Sequence, residues 1–140
     1  MIWKNNPTTQ GLNSLAKGNM LEHLGIEILE IGEDFIKAKM PVDHRTKQPM
    51  GLLHGGASVA LSESMGSFAG VLILDNPMEY SIVGVEINAN HLKAVRSGEV
   101  TSVTKPIRIG RKVQVWNTDI YNDKNELVCT SRLTTMTIKN

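Results

Sequence analysis

QPMGLLHGGASVALSESMGSFAG, residues Gln48 to Gly70, places an almost wholly apolar run behind His-Gly-Gly and sets one carboxylate, Glu63, inside it. The run lacks β-branched stretches and internal Pro, and its apolar residues recur on every side, so it reads as a buried helix over roughly residues 54–74. Pro77, just past Asp75 and Asn76, forbids continuation. A helix apolar on nearly every face (Ala57, Val59, Ala60, Leu61, Met65, Phe68, Ala69, Val71, Leu72) must be covered on nearly every face. One sheet covers about half of a helix, so a second subunit is expected on the remainder. Gly66 and Gly70 leave room for another helix or strand to approach closely.

The flanking sequence supplies the sheet. Upstream, LGIEILEIG and FIKAKMPVD joined by GED read as a hairpin, and Thr8 and Thr9 can cap a short helix carrying Leu12, Leu15 and Ala16. Downstream, YSIVGVEINANHLKAV, GEVTSVTKPIRIG, RKVQVWNTDIY and ELVCTSRLTTMTIK read as strands. Turn signals sit between them at RSGE, IGRK and YNDKNE. One long helix with five or six strands predicts an α+β fold, a single domain spanning residues 1–140.

Composition narrows the function classes. Fifteen Lys plus Arg against 14 Asp plus Glu give a net charge of +1, so no overall field recruits nucleic acid or an anionic membrane. The run from Leu52 to Leu74 approaches the length of a membrane span, but His54, Glu63 and its serines make a bilayer costly. The N-terminus has no apolar core typical of a signal peptide. A single cysteine, Cys129, on an alternating strand, excludes a disulfide framework and fits a reducing cytoplasm. His23, His44, His54 and His91 lack metal-ligand spacing, and neither HExxH nor CxxC occurs, so no metal and no cofactor is expected.

No Lys or Arg lies within a turn of Glu63, and Ser67 sits at i+4 on its face. The amides at His54, Gly55 and Gly56 open the helix, where free N–H groups and absent side chains suit an oxyanion or a phosphate. The P-loop spacing is missing, and GGASVA departs from a nucleophile elbow at Ala60. PIRIGRK gathers three cations around a glycine turn, a reasonable clamp for phosphate groups. Taken singly, each feature also has a bland reading: a solvated helix glutamate, a tight glycine contact, a basic surface turn.

Together these residues resemble a known family. QPMGLLHGGASVALSESMGS is similar to the catalytic segment of hotdog-fold acyl-CoA thioesterases of the 4-hydroxybenzoyl-CoA and phenylacetyl-CoA branch. MIWK, HLGIE, MPVDHRT, VGVEINANH and RIGR extend the likeness over the whole chain, toward the bacterial 1,4-dihydroxy-2-naphthoyl-CoA hydrolases of menaquinone synthesis. The resemblance implies a central helix wrapped by a curved antiparallel sheet, a cytoplasmic acyl-CoA hydrolase, and a homodimer or homotetramer. It implies catalytic roles for Glu63 as nucleophile or general base, Gln48 and the Gly55 N–H as carbonyl donors, Ser67 holding water and His54 orienting the thioester. CoA contacts would fall on Gly84, on His91, Leu92 and Lys93, and on Arg108, Gly110, Arg111 and Lys112. The segment HLKAV departs from the branch by placing Lys93 and Ala94 where Arg and Pro are usual. Met50, Met65, Phe68 and the strand after Tyr80 are expected to shape the acyl pocket. A non-catalytic acyl-CoA-binding module, a hydratase on the same fold and a broad fatty acyl-CoA thioesterase are the alternatives.

Helix geometry adds a constraint. Gly55 and Glu63 stand eight residues apart, which is about 12 Å along the axis and about 80° around it. A side chain leaning toward the N-terminus recovers only about 3–4 Å. Both groups can address one carbonyl only if they come from different subunits.

Overall fold

A five-turn helix lies across a six-stranded antiparallel sheet. The computed structural model describes residues 1–140, with α1 at Thr9–Leu15, α2 at Met20–Leu24, β1 at Glu27–Ile31, β2 at Ile36–Pro41 and α3 at Gly55–Leu72. Four long strands follow: β3 at Tyr80–His91, β4 at Glu99–Ile109, β5 at Val113–Tyr121 and β6 at Leu127–Lys139. The strand order is β1-β2-β4-β5-β6-β3 with every neighbouring pair antiparallel. This is the expected α+β hotdog fold: α3 packs across β3, β6 and β5 and reaches β4 and β2.

Local signals explain the elements. Thr8 caps α1, accepting the Gly11 N–H. Helix α2 was not anticipated, although Asn19 caps its start and Gly25, at φ 71°, closes its end in the left-handed region. The long helix ends at Leu72, several residues ahead of Pro77, with Ile73 as its cap. No helix is long and apolar enough to cross a membrane.

Eight of the 18 residues of α3 are buried within the single chain, and most of the others, Val59, Ala60, Glu63 and Phe68 among them, stay half-buried. Leu61, Met65 and Ala69 sink into the core with Ile36, Ala38, Met40, Val100, Trp116 and Ile120. Met65 is thus a core residue and does not shape a pocket; its helical position shares a face with Leu61. Gly66 and Gly70 do admit a close neighbour, and it is the chain's own sheet. A Cβ at Gly66 would stand 2.6 Å from Leu133 Cδ2, and one at Gly70 would stand 2.8 Å from Ile82 Cγ2.

The sheet's inner face carries an unusual polar layer. In β5 the residues pointing inward are Gln114 and Trp116, with Val113 and Val115 outward. Gln114 is fully buried and satisfied: it donates to the Gly110 carbonyl at 3.1 Å and to Thr137 at 3.0 Å, and accepts from Thr135 at 2.9 Å. Thr135 in turn accepts from Trp116 Nε1 at 3.1 Å. Trp3 stacks on Trp116 with ring centroids 6.3 Å apart, pinning the N-terminal segment to the core. Cys129 is buried too, and that burial raises its thiol pKa, as expected of a core cysteine.

One buried polar atom lacks a partner: Ser62 Oγ, on a residue 1 % exposed. A buried hydroxyl without a hydrogen bond costs about 1–3 kcal/mol, and Ala is also the better helix former. Ser62→Ala is expected to raise the melting temperature by about 3–6 °C in a thermal scan. An unchanged or lower value would show that the hydroxyl is bonded.

Candidate active site

The sequence from Asp43 to Gly55 builds the mouth of α3. Asp43 folds back on its own loop: its carboxylate accepts from the Arg45 N–H at 3.0 Å and from the Arg45 guanidinium at 2.7 Å. Thr46, 2 % exposed, donates to the Pro41 carbonyl at 2.6 Å and accepts from the Asp43 N–H at 3.2 Å. The Thr46 carbonyl then takes the His54 N–H at 2.8 Å. This clamp fixes where the helix begins. It went unread in the sequence, although Asp followed two residues later by a backbone donor is a known turn signal.

His54 is the N-cap of α3. Its Nδ1 accepts the Gly56 N–H at 2.7 Å, and its carbonyl accepts from Ala57 and Ser58. No loop, cap or side-chain acceptor takes the Gly55 N–H. Gln48 stands nearby, its side-chain oxygen held by the Met50 N–H, which leaves its NH2 as the donating end. Gln48 and Gly55 share a cavity of about 390 Å³ with His91, Leu92, Lys93 and Ala94. A Cβ at Gly55 would come within 2.8 Å of His91 Nε2, so glycine there lets the imidazole lie against the helix start.

Glu63 lies two turns along α3, half-buried, against β3. Its Oε1 stands 2.9 Å from where a Cβ of Gly84 would be, so Gly84 makes the space that the carboxylate occupies. A β-bulge between Gly84 and Glu86 adjusts the strand at this point. Ser67 is half-buried on the next turn, within α3, and its hydroxyl has no partner among the side-chain hydrogen bonds of the chain. Strand β3 is one of the sheet's two edges, opposite the short β1, and is exposed along most of its 12 residues, with Val83 and Val85 uncovered. The carboxylate therefore emerges beside an unpaired edge.

The expected site residues thus fall into three groups within one chain. Gln48, His54, Gly55, His91, Leu92 and Lys93 gather at the start of α3, and Glu63, Ser67 and Gly84 gather midway along it. Gly110, Arg111 and Lys112 line a larger cavity of about 760 Å³ beyond its C-terminal end, with Asp75, Asn76, Tyr80 and Gln114, which sequence reasoning missed. Arg108 curls toward the same turn, its Nε 3.3 Å from a Cβ position at Gly110. No group of His, Cys, Asp and Glu could hold a metal ion.

The Arg45 guanidinium and N–H hold the Asp43 carboxyl well below the usual carboxylate range. A carboxyl so depressed favours the folded state at every pH above its unfolded value near ~3.9, and this advantage is lost as pH falls through the folded value. Asp43→Asn is therefore expected to melt below the native protein at neutral pH. The gap should begin to narrow below about pH 4 and close only as pH falls through the depressed folded value, as read by melting curves across pH. A gap that persists in acid would assign the effect to shape alone.

Comparison with known proteins places the chain in a family. The family model of the thioesterase superfamily matches residues 50–129. A 1,4-dihydroxy-2-naphthoyl-CoA hydrolase from Escherichia coli is 52 % identical over 96 % of this chain and 98 % of its own. The proofreading thioesterase EntH of Cronobacter turicensis is 48 % identical over 96 % of this chain and 97 % of its own. A crystal structure of a thioesterase from Haemophilus influenzae superposes with a TM-score of 0.95 at 53 % identity, covering 99 % of this chain and 96 % of the other.

Proposed function

Since this chain belongs to the thioesterase superfamily and is a thioester hydrolase, we propose that it cleaves aryl- or naphthoyl-type acyl-CoA thioesters at a site shared by two subunits. One observation carries the shared site. The unbonded Gly55 N–H and the Gln48 amide face one cavity, while Glu63 opens two turns away at the free edge of β3. A second copy of the chain pairing along β3 would bring its own Glu63 toward the Gly55 cavity of the first. An exposed edge of this length with apolar side chains also favours a partner strand.

The reaction asks little of the leaving group, because a CoA thiolate departs readily. Glu63 either attacks the thioester carbon or takes the proton of the water that does. The oxyanion that forms meets the Gly55 N–H and the Gln48 NH2 of the other subunit, each worth about 3–4 kcal/mol to the transition state. The His54 cap keeps Gly55 free, since its imidazole occupies the neighbouring Gly56 N–H. Ser67, unbonded in the chain and one turn from Glu63, is placed to hold the water. The CoA moiety runs out past His91, Leu92 and Lys93, and the Arg108 to Lys112 turn contributes cations from beyond the opposite end of α3.

The aryl preference rests on the likeness to the naphthoyl-CoA hydrolase. Thiol release, followed with a sulfhydryl dye across aryl-, naphthoyl- and straight-chain acyl-CoAs, tests the reading. Fastest turnover with the aromatic esters is the expected result. A straight-chain optimum would overturn the acyl assignment, and CoA-ester binding with no release from any ester would overturn hydrolysis itself.

A further inference from the structure

Lys93 is the one Lys or Arg lining the Gln48–Gly55 cavity, and it is not free. Its ammonium is bonded to the Glu126 carboxylate, which reaches over from the turn between β5 and β6. Arg108, Arg111 and Lys112, by contrast, have no carboxylate within ion-pairing distance. The protein thus carries three open cations at one end of the helix and one masked cation at the other.

Glu126 is held in place. Asn122 Nδ2 donates to Glu126 Oε1 at 3.1 Å, and Asn122 Oδ1 accepts the backbone N–H of Glu126 at 2.9 Å and of Lys124 at 3.0 Å. Lys93 is anchored at its backbone, where Leu92 and Lys93 both donate to the Val128 carbonyl. The two residues therefore meet by construction of the turn. Lys93 and Asn122 also hold the Glu126 carboxyl below its ordinary range, so it is charged at neutral pH. Both side chains are partly exposed, at 49 % and 40 %, and a pair in water is weak enough for another anion to replace it.

Resting on the acyl-CoA reading above, we propose that Glu126 sets the affinity of this site for the phosphates of CoA by occupying Lys93 until the ligand displaces it. The carboxylate acts against the ligand twice. It neutralises the cavity's only cation, and it adds a negative charge beside the path of a multiply anionic molecule. The effect is confined to ligands that carry phosphate.

Glu126→Gln isolates the charge, because glutamine keeps the Oε1 acceptor that Asn122 uses and leaves the Asn122 backbone contacts in place. Free CoA is titrated calorimetrically into the native protein, Glu126→Gln, Lys93→Ala and the double variant. The expected result is a Kd for CoA about three- to fivefold lower in Glu126→Gln. That gain should be absent when Lys93 is already Ala, and it should shrink as salt is raised. KM for a CoA thioester falls in parallel, whereas KM for the N-acetylcysteamine thioester of the same acid, which carries no phosphate, does not move. Native protein that binds CoA while Glu126→Gln binds it no more tightly would overturn this inference alone. So would a gain that survives in Lys93→Ala. Native protein that neither binds CoA nor releases thiol from its esters would overturn the functional reading, and this inference with it.

Discussion

Glu63→Gln is expected to lower kcat for thioester hydrolysis by about 10²–10⁴ while leaving the fold intact. The substitution keeps the size of the side chain and so keeps the fit over Gly84, whose missing Cβ leaves the room that Oε1 takes. What it removes is the charge that, in the proposed reaction, either attacks the carbonyl or accepts the proton of water. KM should change little, because the amide still fills the space between α3 and β3. Oxygen-labelled water in a single turnover identifies covalent attack when label is recovered on Glu63 itself, because that requires water to open a mixed anhydride at the Glu63 carbonyl. A variant that retains a tenth or more of native kcat, by the rough scale of general-base effects, would remove Glu63 from the chemistry.

Gln48→Ala is expected to lose about 10²–10³ in kcat, the usual consequence of deleting one oxyanion donor. Its larger value lies in combination. If the carbonyl donors and the carboxylate come from different subunits, a mixed dimer of Gln48→Ala and Glu63→Gln holds one site with both residues native and one with neither. Denaturing and refolding an equal mixture of the two inactive proteins should then restore about a quarter of native activity, given random pairing in a two-fold dimer. No recovery, with mixed dimers demonstrated by differently tagged chains, would place both groups in the same subunit.

The long helix, the hairpin and the four downstream strands were legible because their periodicity and turn residues agree. The separation of Gly55 from Glu63 was legible too, since a straight helix fixes distance from residue number alone. Other features were hidden for physical reasons. Helix α2 is too short for an apolar period to register, and only its Asn19 and Gly25 ends announce it. Alternation in β5 named two faces without saying which is inner, and a satisfied glutamine in the core is unlike the default expectation for that residue. Met65 was expected in the pocket because methionine suits ligand linings, but its helical phase with Leu61 places it in the core. The pairing of Lys93 with Glu126 joins residues 33 positions apart, and no local pattern encodes such a meeting.

The tight seam between α3 and the sheet has a consequence for how such a protein can diversify. Gly66 and Gly70 already touch Leu133 and Ile82, and Gly55 and Gly84 are filled by the side chains they face. At Gly66 and Gly70 any larger residue adds atoms where none fit, so that seam tolerates little substitution. Met50 and Leu92 stand 77 % and 55 % exposed beside the Gln48–Gly55 cavity and carry little of the packing. Substitutions at such exposed positions cost little stability. A tight seam beside a lightly packed rim lets the residues around the cavity change while the fold that holds it stays secure.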